Sequence, residues 1–219
     1  MTDRPTTLPT TYRAVIFDLG GVVFPSPIDV FRAYEREQGL PERFLSEVVL
    51  TDPDGGAWAR LERGELSVAE FCTEFEAECT RAGQTIDASA VMNAVGEGFA
   101  PRPEMVAAIT AIREHGLQTG ALTNNWVADE PREGGLDSLI GVFDVVVESA
   151  VEGVRKPDPR IYELACERLG VRPDESVFLD DLGVNLKAAR ALGMTTIKVA
   201  DPAAALAELA DVLGFALDG

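Results

Sequence analysis

From residue 103 onward the chain alternates apolar, β-rich runs with amphipathic helical stretches, and this alternation constrains its fold more than any other feature. Helices are expected at 104–115, 159–169 and 183–192, and strands at 119–124, 144–149, 176–181 and 195–199. A last Ala-rich helix is opened by Asp201 and Pro202. Strands separated by helices pair in parallel, with right-handed crossovers that cover both faces of the sheet. One more strand stands apart, AVIFD at 14–18, cut off by Leu19, Gly20 and Gly21. Between it and the alternating region the signals are helical, including a Pro41 start and Ser67 with Glu70 in capping-box spacing. The expected fold is therefore α/β, a doubly wound, Rossmann-like parallel sheet with a helical cap inserted after its first strand. The division that follows is a flexible tail at 1–11, a core at 12–24 and 99–219, and a cap at 25–98.

Against 37 acidic residues stand 19 Lys plus Arg, a net charge of −18. That field repels nucleic acid and anionic membrane surfaces, so neither is an expected partner. No window approaches the ~18 unbroken apolar residues of a membrane span. The opening MTDRPTTLPT lacks the basic-then-apolar pattern of a secretion signal, and a cytoplasmic location is expected. Cys72, Cys79 and Cys166 read as idle thiols; the first two are about 10 Å apart along one helix, too far to bridge. The chain is expected as a monomer or homodimer, with the apolar cap and the Val22-Val23-Phe24 segment as candidate seams.

Four polar groups fall at or just past the carboxyl ends of expected strands: Asp18, Thr123 with Asn124, the Arg155-Lys156-Pro157 turn, and Asp180 with Asp181. Open parallel sheets bind ligands along that edge. Any one such Asp has a plain structural alternative, capping the next helix. Three together repel one another unless cations intervene. Lys156 supplies one positive charge, and a hard, oxygen-liganded ion such as Mg²⁺ balances the rest, leaving a site that accepts an anion. Main-chain N–H groups after Asp18 and near Asn124 suit the anion's oxygens. With its charge neutralised and its approach in line, a carboxylate can attack phosphorus. The reaction class that fits is phosphoryl transfer to a carboxylate, followed by hydrolysis of the acyl phosphate.

The segments VIFDLGGVV at 15–23, ALTNN at 121–125, RKPDPRIY at 155–162 and VFLDDLGVNLKAARALGM at 177–194 resemble, in order and spacing, the motifs of the haloacid dehalogenase superfamily. Within it, LTNNW, VESAVEGVRKPDPRIYELA and FLDDLGVNLKAARALGMTTI look most like the phosphatase domain of soluble epoxide hydrolases and the related domain of some acyl-CoA dehydrogenases. The resemblance implies a Mg²⁺-dependent phosphatase acting on a small phosphorylated metabolite through an aspartyl phosphate. Asp18 would be nucleophile and metal ligand, Thr123 would hydrogen-bond the phosphoryl group, and Lys156 would clamp both. The Gly20 carbonyl and Asp181 would complete the metal shell, with Asp180 acting directly or through water. Gly20, Gly21, Asn124, Asn125 and Trp126 are expected around the substrate, Trp126 equally as an entrance residue or as simple packing.

One position departs from that pattern. Where phosphatases of the superfamily usually carry an acid two residues after the nucleophile, this chain has Gly20. Proton transfer contributes typically about 10²–10⁴-fold. The expectation is an enzyme that is slow, or suited to anomeric, acyl or aryl phosphates, or assisted by a substrate or cap residue. Two alternatives stay open: a non-catalytic ligand-binding or interaction protein, and a 2-haloacid dehalogenase, which needs no metal and lacks the acidic pair kept here as Asp180 and Asp181. Elsewhere, His115 reads as a helix-terminal cation, and Glu70, Glu74 and Glu78 with Arg81 as a solvated face. Arg60 and Arg63 are candidates to reach a second anionic group on the substrate.

Overall fold

The computed structural model describes residues 11–97, 100–127 and 141–217. The tail expected at 1–11 lies, but for Thr11, outside them. Strands β1 (Ala14–Phe17), β2 (Gln118–Thr123), β3 (Val145–Glu148), β4 (Ser176–Asp180) and β5 (Thr195–Lys198) form one sheet in the order β3-β2-β1-β4-β5. Every pairing is parallel. Helices α1 (Pro27–Gln38), α2 (Phe44–Thr51), α3 (Ala57–Glu62), α4 (Val68–Arg81) and α5 (Ala88–Glu97) follow β1, and α6 (Pro103–Glu114) leads into β2. The short α7 (Ser149–Glu152) follows β3; α8 (Pro159–Leu169), α9 (Gly183–Ala191) and α10 (Pro202–Leu213) complete the chain. This is the α/β sheet expected from the alternation.

The two-residue period of the strands divides the core. Val15, Phe17, Val177 and Leu179 pack with α6 and α10, whereas Ala14, Ile16 and Phe178 pack with α8 and α9. Val22, Val23 and Phe24 are buried in the first of these clusters, so they offer no surface for a dimer seam. Residues of α1 to α5 build a third apolar cluster around Phe31, Trp58, Phe71 and Phe75. The Ser67–Glu70 capping box forms as spaced. Helix α5 falls within the stretch expected to be helical, and the strand expected to run to 149 ends at Glu148, where the chain turns into α7: the Ser149 hydroxyl accepts from Asn125 N–H at 2.9 Å and ties the strand end to the loop after β2. Among the described residues no helix is long and apolar enough to cross a membrane.

Two carboxylates lie on apolar helix stripes. In α1 the buried residues are Phe31, Tyr34 and Glu35, a helical i, i+3, i+4 set. Glu35 accepts the main-chain N–H groups of Arg43 and Leu45, both at 2.8 Å, and so anchors the start of α2, where Arg43 takes a left-handed φ of 65°. Glu35→Ala leaves the buried Leu45 donor and the part-buried Arg43 donor unpaired and is expected to lower the stability to urea by about 2–4 kcal/mol, read from the unfolding midpoint. The second such carboxylate, Glu62 in α3, faces the site described next.

Candidate active site

β1 neighbours β4 in register Phe17↔Leu179, so Asp18 and Asp180 leave the sheet side by side. There the chain order reverses, with β2 and β3 on one side of β1 and β4 and β5 on the other, opening the crevice that ligands of such sheets occupy. Lys156, fully buried, reaches between them: its Nζ stands 2.7 Å from Asp18 Oδ1 and 2.8 Å from Asp180 Oδ2. Below it lies the Phe178 ring, 5.5 Å from Nζ to centroid, with Tyr162 edge-on to that ring. Burial alone lowers an ammonium's pKa, but Asp18 and Asp180 override it and hold Lys156 above its ordinary value.

The three carboxylates differ in their surroundings. Asp180 is saturated: Oδ1 accepts from Leu182 N–H at 2.8 Å, Oδ2 holds Lys156, and the Asn185 amide donates to both oxygens at 3.1 Å. Asp18 spends Oδ1 on Leu19 N–H and on Lys156, and no described hydrogen bond engages Oδ2. The Asp181 carboxylate meets its own main-chain N–H and no other described donor, and it lies directly over Gly21, where a Cβ would stand 2.3 Å from its Oδ2. Gly21 also has φ +80°, so only glycine suits the place. One oxygen of each carboxylate lies within 4.8 Å of the others.

Three carboxylates facing one ammonium carry a surplus of two negative charges. Burial, then Asp180, pushes Asp181 up to about 6. Burial likewise holds Asp18 well above the usual carboxylate range, against the pull of Lys156. Hard oxygen donors with uncompensated charge fit a divalent cation, and the free oxygens of Asp18 and Asp181 are the ones left to meet it.

Of the other residues singled out in the sequence, Thr123 is buried at the end of β2, its hydroxyl bonded among the described residues only at 3.4 Å to the Asn124 carbonyl. The Asn124 side chain grips the main chain of Lys156: Oδ1 accepts its N–H at 2.8 Å and Nδ2 donates to its carbonyl at 3.1 Å. Nδ2 also reaches Glu62 Oε2 at 3.3 Å, so what Asn124 has left for a ligand is its main chain. Asn125 turns to β3, donating from Nδ2 to Glu148 at 2.6 Å. Trp126 packs edge-on against Trp58 of α3 at 6.0 Å. Gly20 bridges to Phe24 and has room, its nearest neighbour for a Cβ being Pro27 Cδ at 3.4 Å.

Arg60 and Arg63 do not extend to the site: Arg60 pairs with Glu74 and Glu65, and Arg63 with Glu65 and the Asp54 carbonyl. Glu74, on the face expected to be solvated and with a side chain 41% exposed, is also a helix-to-helix tie, as is Glu78, which accepts Ala57 N–H at 2.9 Å. His115 caps α6 and stacks on Phe215 at 3.9 Å. The thiols are free, and burial pushes Cys79 up to about 12.

Sequence reasoning missed Asn185, Glu62 and Arg102, and gave Arg155 no role. Arg102 Nη1 donates to the carbonyls of Gly21, Val22 and Phe24 at 2.6–3.0 Å, pinning the loop that carries Gly20. No local pattern announces such a reach across the chain. Glu62 did leave a signal, an acid on the apolar stripe of Trp58 and Leu61.

A buried aspartate just past the first strand of a parallel sheet, gripped by lysine and faced by an acidic pair, lies at the ligand-binding edge of a Rossmann-like fold. The chain belongs to the haloacid dehalogenase-like hydrolases, whose family model matches residues 12–193. It is 42% identical over 210 residues to acyl-CoA dehydrogenase family member 10 of Mus musculus, covering 94% of this chain and 20% of that one. It is 35% identical over 219 residues to bifunctional epoxide hydrolase 2 of Sus scrofa, covering 94% and 39%. The chain thus spans well under half the length of either relative. A sesquiterpene phosphatase of Aspergillus oryzae is 26% identical, with 94% and 98% covered. A haloacid-dehalogenase-family enzyme of Bacteroides thetaiotaomicron, crystallised with magnesium and inorganic phosphate, superposes with a TM-score of 0.58 at 20% identity, covering 85% of this chain and 93% of that one.

Proposed function

We propose that the protein is a Mg²⁺-dependent phosphatase of small phosphorylated metabolites, working through an aspartyl phosphate at Asp18. The observation that carries this reading is the trio of Asp18, Asp180 and Asp181 around Lys156, with two surplus negative charges and an unengaged Asp18 Oδ2. The likeness to a phosphatase and to an enzyme crystallised with magnesium and phosphate supports it. Asp18, the Gly20 carbonyl and Asp181 would hold Mg²⁺, with saturated Asp180 acting through water; the ion would neutralise the charge of an approaching phosphate ester.

In this mechanism the Asp18 carboxylate attacks phosphorus in line with the ester oxygen, through whichever of its oxygens the ion leaves free. The O–P bond to the leaving group breaks as the Asp18 O–P bond forms. Lys156 fixes Asp18 through Oδ1 and offers its charge to the phosphoryl oxygens. Thr123 and nearby main-chain N–H groups orient those oxygens. Water then attacks phosphorus of the acyl phosphate, releasing inorganic phosphate and restoring Asp18. With Gly20 in the acid's place, the leaving group departs unprotonated by that position, which favours aryl, acyl and anomeric phosphates.

The test is a panel of aryl, sugar-1- and alkyl phosphates assayed with Mg²⁺ and with excess EDTA. Hydrolysis is expected to favour the better leaving groups and to fall to background in EDTA. Full activity in EDTA would overturn the reading. Gly20 by itself favours one other reading, a non-catalytic binder, which beryllofluoride binding without turnover of any ester would identify.

A further inference from the structure

The cap contributes one buried carboxylate that this mechanism does not use. Glu62, 7% exposed, sits on α3 with Oε1 accepting Trp58 Nε1–H at 2.8 Å. Oε2 lies 2.7 Å from Arg155 Nε, a charge contact whose N–H geometry falls short of a hydrogen bond, and 3.3 Å from Asn124 Nδ2. Arg155 Nη1 in turn donates to the Pro53 carbonyl between α2 and α3 at 2.7 Å. Burying a carboxylate is unfavourable unless donors and charge compensate it; Trp58 supplies a donor and Arg155 a charge, and burial still outweighs them and raises the Glu62 pKa. Asn124 is a further donor with a different consequence.

Asn124 has three polar valences toward its neighbours: Oδ1 on Lys156 N–H, one Nδ2 hydrogen on the Lys156 carbonyl, and the other on Glu62. Were the amide to turn over, its nitrogen would face the Lys156 N–H, donor against donor, and its oxygen would face the carboxylate. Glu62 therefore reinforces, from the other side, the orientation of Asn124 that the Lys156 N–H and carbonyl already favour. From Lys156 the line runs on through Nζ to Asp18 at 2.7 Å. Glu62 comes from the cap, whereas Asn124, Lys156 and Asp18 come from the sheet edge, so this contact exists only while α3 rests on the core.

We propose that Glu62 is a positioning residue that couples cap closure to the alignment of Lys156 with Asp18, acting through the Asn124 amide. The proposal rests on the phosphatase reading above. A cap lifted to admit substrate withdraws Glu62 and loosens the lysine; the cap settled over bound substrate restores the alignment needed for attack.

A double-mutant cycle on the full chain, with p-nitrophenyl phosphate and Mg²⁺, tests it. Glu62→Gln is expected to lower kcat about 10- to 100-fold with KM changed less than about threefold, the scale of a misplaced catalytic group. Asn124→Ala should lose a similar factor, and the double variant should be no slower than Asn124→Ala alone, because both act along one line. Glu62→Leu, which removes the buried charge at similar volume, keeps the test alive should Glu62→Gln fold poorly, and the same kcat loss is expected. A kcat within about twofold of wild type for either Glu62 variant, or losses that multiply in the double variant, would overturn the proposal while leaving the phosphatase reading intact. A wild type that hydrolyses nothing would overturn both.

Discussion

Asp18→Asn is expected to abolish phosphate-ester hydrolysis, with a loss of at least about 10⁴-fold in kcat, the scale on which removal of a covalent nucleophile acts. The substitution is close to isosteric. Asn keeps an oxygen that can accept Leu19 N–H, and Lys156 retains Asp180, so the fold is expected to persist. Stability should move the other way. Burial raises the Asp18 pKa in the folded chain, which means the folded state prefers the neutral side chain. Between the unfolded and folded pKa the native protein then binds more protons than the unfolded one, and stability falls as pH rises through that window. In EDTA the wild-type melting temperature is therefore expected to drop as pH rises from the ordinary carboxylate range through about 6, where the raised Asp181 titrates. The Asp18→Asn variant, lacking one of the three upward-shifted carboxyls, Asp18, Glu62 and Asp181, should melt at or above the wild type and show a shallower slope. Thermal melts across pH and stopped assays on the same preparations check both halves. Residual turnover within about tenfold of wild type would remove Asp18 from the chemistry.

Gly20→Asp is the second large effect, and it is a gain. Gly20 has no left-handed φ, and a Cβ there meets nothing closer than Pro27 Cδ at 3.4 Å, so an Asp can be built without moving the main chain. The loop is fixed on its far side by the three carbonyls that Arg102 holds. An acid placed two residues after the nucleophile can protonate the leaving oxygen and later take a proton from water. Turnover of alkyl phosphates is expected to rise about 10²-fold or more, and that of p-nitrophenyl phosphate far less, since its leaving group needs little help. The ratio of the two rates is the measurement. An unchanged ratio would mean that proton transfer at this position does not limit the reaction. Gly21, one residue on, tolerates no such change, because Asp181 already fills the space a side chain would need.

Much of the fold was legible because its signals are local. The parallel sheet follows from apolar strands that alternate with helices, and the caps follow from Ser67 with Glu70 and from Pro at helix starts. The candidate site was legible for a related reason: in a parallel sheet every strand ends at the same edge, so Asp18, Thr123 and Asp180 can be gathered from sequence position alone. What was not legible is who satisfies whom. Asn124 looked like a substrate group and is occupied by Lys156; Arg60 and Arg63 looked free and are spent on Glu65 and Glu74.

The amino-acid order by itself determined the sheet, the insertion point of the cap, and the residue types that meet at the sheet edge, since periodicity and strand ends are properties of short stretches. Only the tertiary structure decided the division of labour among three like carboxylates and brought Glu62 from the cap onto Asn124. Hydrogen-bond donors such as Asn185, Arg102 and Arg155 come from elsewhere in the chain, and a side chain's free valences depend on every neighbour that folding brings to it.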